Sequence, residues 1–288
     1  MSNDFAVYGS FGFIGNELCK RWGFIANEEN KGDRNKWVSK TNKLVYLIST
    51  VHNYNVLDND PYTDIATNLK HLMTVLQANK IKYGNDFEIT FVSSWFVYGK
   101  TECPARETSI CNPTGFYSIT KRAAEQLLIS YCETFGIKWK IVRLSNVMGI
   151  GDGKISKRKN ALQYMVKTLC DGGVIDLYKG DTTRDYINVW DAARGIAAVA
   201  NKGKYGEIYN VGSGYGSNIR DLALYAHELT DKRGTINDVE VPAFHKQVQV
   251  ENMWLECDKV FQDTGWFSGY AHTHLIEELV NHYMGANG

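Results

Sequence analysis

The stretch Phe5-Ala6-Val7-Tyr8-Gly9-Ser10-Phe11-Gly12-Phe13-Ile14-Gly15 decides how this chain folds. Phe5 to Tyr8 reads as a short buried strand, and Phe13 to Trp22 as the start of a helix. Between them Gly9, Gly12 and Gly15 permit a tight turn, let backbone approach an anion, and let helix pack closely on strand. The free N–H groups and positive dipole end of that helix then face the anion, an arrangement suited to a dinucleotide pyrophosphate. Three glycines at this spacing are a weak signal alone, because a plain strand–turn–helix uses them too.

A second signature lies about a hundred residues on, at Tyr117-Ser118-Ile119-Thr120-Lys121. A phenol titrates near ~10, too high for an efficient base at neutral pH, so it needs a cation close by. A lysine four residues later on a helix shares its face, one turn along. Lys121 can then stabilise the phenolate and also reach a ribose hydroxyl. Ser94 ends the apolar strand that contains Ile89-Thr90-Phe91-Val92 and can hydrogen-bond the same substrate oxygen. An ordinary surface helix carries Tyr and Lys at this spacing too. It is the combination with Ser94 and the glycine loop that points to moving a proton beside a hydride, on an alcohol or a ketone.

At this point the chain resembles the extended short-chain dehydrogenase/reductase family, in particular its nucleotide-sugar epimerases, reductases and dehydratases. Ser94-Trp95-Phe96-Val97-Tyr98-Gly99 is similar to the family's strand end, and places Ser94 rather than Ser93 at the catalytic hydroxyl. Asp60-Pro61 followed by Asn68-Leu69 resembles the segment whose Asn contacts the cofactor. Arg143 to Gly149 resembles the family's Arg-x-x-Asn-Val-x-Gly, and Arg184 to Asp191 its Arg-Asp-Tyr run. Tyr209-Asn210-Val211-Gly212 and Thr264-Gly265-Trp266 fit later landmarks. The resemblance implies a catalytic set of Ser94, Tyr117 and Lys121. It implies a cofactor site of Gly9, Phe11, Gly12, Phe13, Ile14, Gly15, Asn68, Tyr117 and Lys121, and substrate contacts from Ser94, Trp95, Asn146 and Arg184. Each has a structural alternative: Asn146 as a satisfied loop amide, Arg184 as a surface partner of Asp185 or Asp191. Asp191 reads as the cap of a helix from Ala192 to Ala200, and Tyr98 and Gly99 as architecture.

Two departures stand out. Leu44 to Thr50 resembles the family's fourth strand, yet it follows Gly15 so soon that the usual second and third strands do not fit into Gly23 to Lys43. That polar segment reads as loop with at most one remnant strand. The residue that selects NAD or NADP belongs there, an acid for the ribose hydroxyl or an Arg for a 2′-phosphate. Glu28, Glu29 and Arg34 lie near the expected spacing but read as solvated loop residues, so NAD is the expectation and NADP stays open. The second departure is Trp95-Phe96, where the family's 4,6-dehydratases carry Asp and Glu for elimination and return of water. Indole and phenyl can do neither, which disfavours a dehydratase. If Trp95 projects into the pocket it hinders the turning of a keto-sugar that a 4-epimerase needs. Trp95 packed in the core would remove that argument.

Alternating apolar runs and helical stretches imply an α/β fold: a Rossmann-type, doubly wound, mostly parallel sheet truncated near its second strand. Strands are expected near 4–8, 44–50, 87–93 and 138–143, and helices over 62–79, 114–135, 159–171, 190–201 and 217–230. Residues 1–148 form the expected dinucleotide domain and 149–288 a smaller substrate-binding lobe, with about 184–212 returning to the first domain. Acidic and basic residues balance at 32 each, so no global field favours nucleic acid or membrane. The basic run Lys154 to Lys159 is a solvated loop or a clamp on a phosphate. No apolar segment approaches the ~20 residues of a membrane span, and the six cysteines show no metal or disulfide spacing and fit a reducing cytoplasm. The seven histidines form no ligand set, so no metal is expected.

These readings lead to an NAD(P)-dependent nucleotide-sugar epimerase, with an NAD(P)H-dependent 4-keto-sugar-nucleotide reductase as the alternative. A non-catalytic dinucleotide-sensing module is a third class, weakened because Tyr117 and Lys121 are both present. The resemblance further implies a homodimer through the helices at 62–79 and 114–135.

Overall fold

The computed structural model describes residues 4–27, 37–51, 60, 62–243 and 250–285. Glu28, Glu29, Arg34 and Pro61 lie outside them. The strands are β1 (Phe5–Tyr8), β2 (Ile25–Ala26), β3 (Lys43–Tyr46), β4 (Glu88–Ser94), β5 (Lys138–Leu144), β6 (Asn146–Met148), β7 (Val174–Tyr178), β8 (Thr183–Arg184), β9 (Tyr186–Asn188), β10 (Glu207–Val211), β11 (Ser217–Asn218), β12 (Thr235–Val239) and β13 (Asn252–Met253). Six of them form one sheet in the order β10-β5-β4-β3-β1-β2, every neighbouring pair parallel. A parallel sheet covered on both faces needs near-continuous apolar strands. Phe5 to Tyr8 is buried at all four positions, and β4 at all but Ser94.

Helices α1 (Phe13–Trp22) and α2 (Tyr62–Ile65) are followed by a π-helical turn at Ala66–Lys70 and by α3 (His71–Tyr83), then α4 (Phe116–Phe135), α5 (Ala161–Cys170), α6 (Val189–Lys202), α7 (Ile219–Leu229), α8 (Asp258–Thr264) and α9 (His272–Gly285). One core packs α1 and α6 against the sheet through Leu18, Ile196 and Val199 on Val7, Val142 and Val211. The other face holds α3 and α4 through Leu72, Leu76 and Leu128 on Leu44, Ile89 and Ile141. A third cluster joins α5, α7 and α9 to β7, with Leu162, Val166, Leu222, Leu279 and Ile175 at its centre.

β10 pairs with β5 after the chain has passed through α5, β7 and α6, so the first sheet is completed from far along the sequence. In the Gly23 to Lys43 segment a single two-residue strand is described, Ile25–Ala26 against β1, which is the expected remnant. Helix α6 differs from expectation at its start. Asn188 is its N-cap, with Oδ1 accepting from Trp190 N at 2.8 Å. Asp191 sits inside the first turn instead, accepting from Arg194 at 2.7 Å and from Gly269 N at 2.6 Å. The carboxylate ties the helix to the segment after α8 rather than capping it.

Candidate active site

The strand order reverses direction between β1 and β3, and parallel sheets open a crevice at the carboxyl ends of such neighbours. The glycine loop follows β1 there. Gly9 has φ +89°, a conformation that favours glycine, and Gly12 N donates to Gly9 O at 2.9 Å to close the turn. A Cβ on Gly15 would lie 2.1 Å from Gly9 O, so this position admits no side chain while α1 stays seated on β1. Gly12, Phe13, Ile14 and Gly15 line the crevice with Leu47, Ser49, Thr50, Val92, Ser93, Tyr117 and Lys121. Bare backbone at the N-terminus of a ten-residue helix, facing a cleft that ends at Tyr117 and Lys121, fits a dinucleotide.

Lys121 is buried on the inner face of α4. Its Nζ donates to Val92 O at 2.8 Å and lies 4.3 Å from the centre of the Phe91 ring. Burial pushes the ammonium down to about 7, partly opposed by the Glu125 carboxylate one turn on. Tyr117 is half-buried; desolvation raises its phenol, while hydrogen bonding to Ser49 and Ser94 pulls the other way. Ser94 therefore stands beside Tyr117 at the end of β4, where its Oγ also accepts from Phe96 N at 3.4 Å. Ser49 joins the set and was not read from the sequence. The signal was available, since Ser49-Thr50 follow a parallel strand at its carboxyl end.

Trp95 forms part of the cleft wall with its ring packed into the core. It is 3% exposed and sits in a cluster with Val97, Val250, Met253 and Leu255. Its ring stacks on Phe96 at 3.9 Å and its Nε1 donates to Asn146 Oδ1 at 3.1 Å. The steric argument against a turning keto-sugar loses its basis. Phe96 is the ring that meets Tyr117, edge-on at 5.7 Å.

A second cavity of about 420 Å³ adjoins the crevice, and Trp95, Phe96, Asn146, Lys159 and Asn160 line both. Arg184 lines the second cavity. It is buried rather than paired with Asp185 or Asp191 at the surface, and its guanidinium donates to the main-chain oxygens of Thr183, Glu251 and Val250. It also stands 5.3 Å from the Trp95 ring. Asn146 donates through Nδ2 to Asp185 O at 2.9 Å. Lys157, Arg158 and Lys159 of the basic run face this cavity, with Lys159 held to Asp152 at 2.5 Å.

Two expected cofactor residues are placed otherwise. Asn68 is 2% exposed on the π-helical turn, and its amide is engaged with Ser49 Oγ, Thr50 N and Thr120 Oγ1. It braces Ser49 and Thr50, which line the crevice, and does not line it itself. Phe11 is 64% exposed and lies outside the crevice wall. Among the described residues, no group of three or more His, Cys, Asp or Glu is placed to hold a metal, and no helix is long and apolar enough to cross a membrane.

The fold is Rossmann-type, and its crevice gathers Ser94, Tyr117 and Lys121 beside Phe96, which lines the second cavity too. Residues 25–212 match the NAD dependent epimerase/dehydratase family, and the chain belongs to it, within the extended short-chain dehydrogenase/reductase group that acts on nucleotide sugars. It is 26% identical over 212 residues to the GDP-6-deoxy-D-mannose reductase of Pseudomonas aeruginosa, covering 72% of this chain and 69% of that one. It is 28% identical over 209 residues to a dTDP-glucose 4,6-dehydratase of Streptomyces antibioticus, covering 72% and 59%. Among solved structures, RMD from Pseudomonas aeruginosa complexed with NADPH superposes with a TM-score of 0.86 at 19% identity, over 99% of this chain and 100% of that one. The UDP-glucose 4-epimerase of Thermotoga maritima with UDP-glucose gives 0.84 at 20% identity, over 99% of each chain.

Proposed function

We propose that the chain is an NAD(P)-dependent nucleotide-sugar epimerase, acting as a homodimer through α3 and α4, with the lobe built on α5, α7 and α9 holding the substrate. The observation that carries the reading is the shared wall of the two cavities beside Tyr117 and Ser94, in which the Trp95 ring is packed almost wholly out of solvent. A sugar whose nucleotide lies in the second cavity brings a hydroxyl to Tyr117 there and keeps room to turn as a ketone. A bound nicotinamide dinucleotide supplies hydride acceptance and return, and Gly9, Gly12, Phe13, Ile14 and Gly15 would hold its pyrophosphate.

Ser94 orients the sugar oxygen, and Tyr117 Oη takes its proton on oxidation and gives it back on reduction. Lys121 favours the phenolate by charge. Arg184 and the basic run favour a diphosphate in the second cavity. Trp95 and Phe96 carry no carboxyl group to take up or return a proton, so elimination of water from the sugar is disfavoured.

A 4-keto-sugar-nucleotide reductase is the second reading, favoured by the likeness in sequence and in fold to the Pseudomonas aeruginosa reductase. The test is the dinucleotide content of the purified protein, released by denaturation and identified by mass and absorbance. Near-stoichiometric NAD supports epimerisation. An empty protein that oxidises added NADPH or NADH with a keto-sugar nucleotide replaces that reading with the reductase.

A further inference from the structure

The second cavity has two ends. At one, it shares Trp95, Phe96 and Asn146 with the dinucleotide crevice. The other is walled by β7, and no residue of β7 lines the crevice. If the reacting sugar sits at the shared wall, the nucleobase lies against β7. Val174 and Tyr178, on the face of β7 turned away from the core, and Ile219 give that end apolar surface suited to a planar ring.

One side chain on β7 departs from that lining. Asp176 lies between Ile175 and Leu177, which are both buried, and its own side chain is exposed, as the period-2 alternation of a strand requires. It lines the cavity. Asn237, its register partner on β12, approaches Oδ1 with Nδ2 at 3.5 Å, a contact at the outer limit of a hydrogen bond. The carboxylate keeps acceptor capacity on both oxygens.

A carboxylate that accepts from a base selects by chemistry. Guanine presents N1–H and an N2 amino hydrogen side by side, two parallel donors that match two carboxylate oxygens. Uracil and thymine present one N–H between two carbonyls, which a carboxylate repels. Adenine and cytosine offer an amino group beside a ring nitrogen that is itself an acceptor. We propose that Asp176 reads the base and that the cavity takes a guanosine diphosphate sugar. This rests on the nucleotide-sugar reading above and names its nucleotide.

The experiment is calorimetric titration of the full chain with GDP, UDP, dTDP, ADP and CDP, repeated on Asp176→Ala and Asp176→Asn. The expected result is GDP binding about tenfold or more tighter than UDP, the size of one bidentate contact. Asp176→Ala should erase that margin and leave UDP and dTDP affinities where they were, and Asp176→Asn should narrow it. UDP or dTDP binding as tightly as GDP, or a GDP margin that survives Asp176→Ala, overturns the assignment and leaves the nucleotide-sugar reading standing. Failure of all five to bind overturns both.

Discussion

Lys121 Nζ donates to the main-chain oxygen of Val92 at 2.8 Å, anchoring the ammonium of α4 to the sheet at the edge of the crevice. One hydrogen bond and the Phe91 ring face are poor replacement for the water an ammonium loses on burial, which is why the group falls to about 7. A lysine depressed below its usual 10.5 destabilises the folded protein at neutral pH, since the unfolded chain binds the proton more tightly. The cost is full below about 7 and disappears as pH rises toward 10.5. Lys121→Met is therefore expected to raise Tm at pH ~7 while abolishing turnover. The Tm gain should shrink steadily as pH is raised to ~9.5. Thermal melts across that range check it, and a gain independent of pH would refute the assignment.

Tyr117 stands with Ser94 and Ser49 around its phenol and with Phe96 edge-on against its ring. Tyr117→Phe keeps the ring and its contact with Phe96 and removes the acid/base oxygen. Turnover is expected to fall by about 10²–10⁴-fold. Dinucleotide affinity, measured by fluorescence titration, should change far less. Intact turnover in the variant would show that another group moves the proton.

Gly15 has no room for a methyl group: its Cβ would meet Gly9 O at 2.1 Å and Ser10 Cα at 2.8 Å. Gly15→Ala must push α1 away from β1, and the helix N-terminus that faces the crevice moves with it. The variant is expected to lose dinucleotide affinity by tenfold or more, on the order of 1.4 kcal/mol. Gly285→Ala, where nothing crowds the added carbon, is the control that should bind as the parent does.

Much of this was legible in the sequence, for a physical reason. Strands buried on both faces are largely apolar, so β1, β3, β4 and β5 announce themselves, and Gly9 and Gly15 mark a loop that needs a left-handed turn and a helix start with no room for a side chain. Polar residues inside motifs are harder, because a string of letters does not say whether an amide serves a ligand or the fold. Asn68 reads as a cofactor contact, yet its amide is engaged with Ser49, Thr50 and Thr120. Arg143 opens a motif whose Asn faces the cavity, and is itself a brace in a two-point contact with Glu125 at 3.1 and 2.9 Å. Asp191 reads as a cap because acids begin helices, but Asn188 starts this helix three residues earlier. Ser49 is marked only by its place at the carboxyl end of a parallel strand, a signal that takes meaning when the fold brings Tyr117 to it.

Asp185 and His272 are joined through Ser213, whose Oγ lies 2.8 Å from Asp185 Oδ1 and 2.9 Å from His272 Nε2. Tyr186 N donates to that Nε2 at 3.2 Å, which assigns the ring proton to Nδ1, facing Ser217 Oγ at 2.7 Å. Burial drives the two groups in opposite directions. Asp185 rises from 3.8 to about 6, against hydrogen bonds from Ser213 and Leu255, and His272 falls from 6.5 to about 4. The raised acid favours the folded state below 3.8 and loses that contribution as pH climbs through about 6. The depressed imidazole favours it above 6.5 and loses that contribution as pH falls through about 4. Over the shared window the two slopes oppose each other, so the pair leaves stability nearly flat. Removing one partner exposes the other. Relative to the parent, His272→Gln should gain Tm as pH falls from ~7 to ~4.5, whatever its offset at pH 7, and Asp185→Asn should lose it. Melts of the three proteins over that range read the slope difference directly, and parallel curves would mean that neither group titrates as its burial requires.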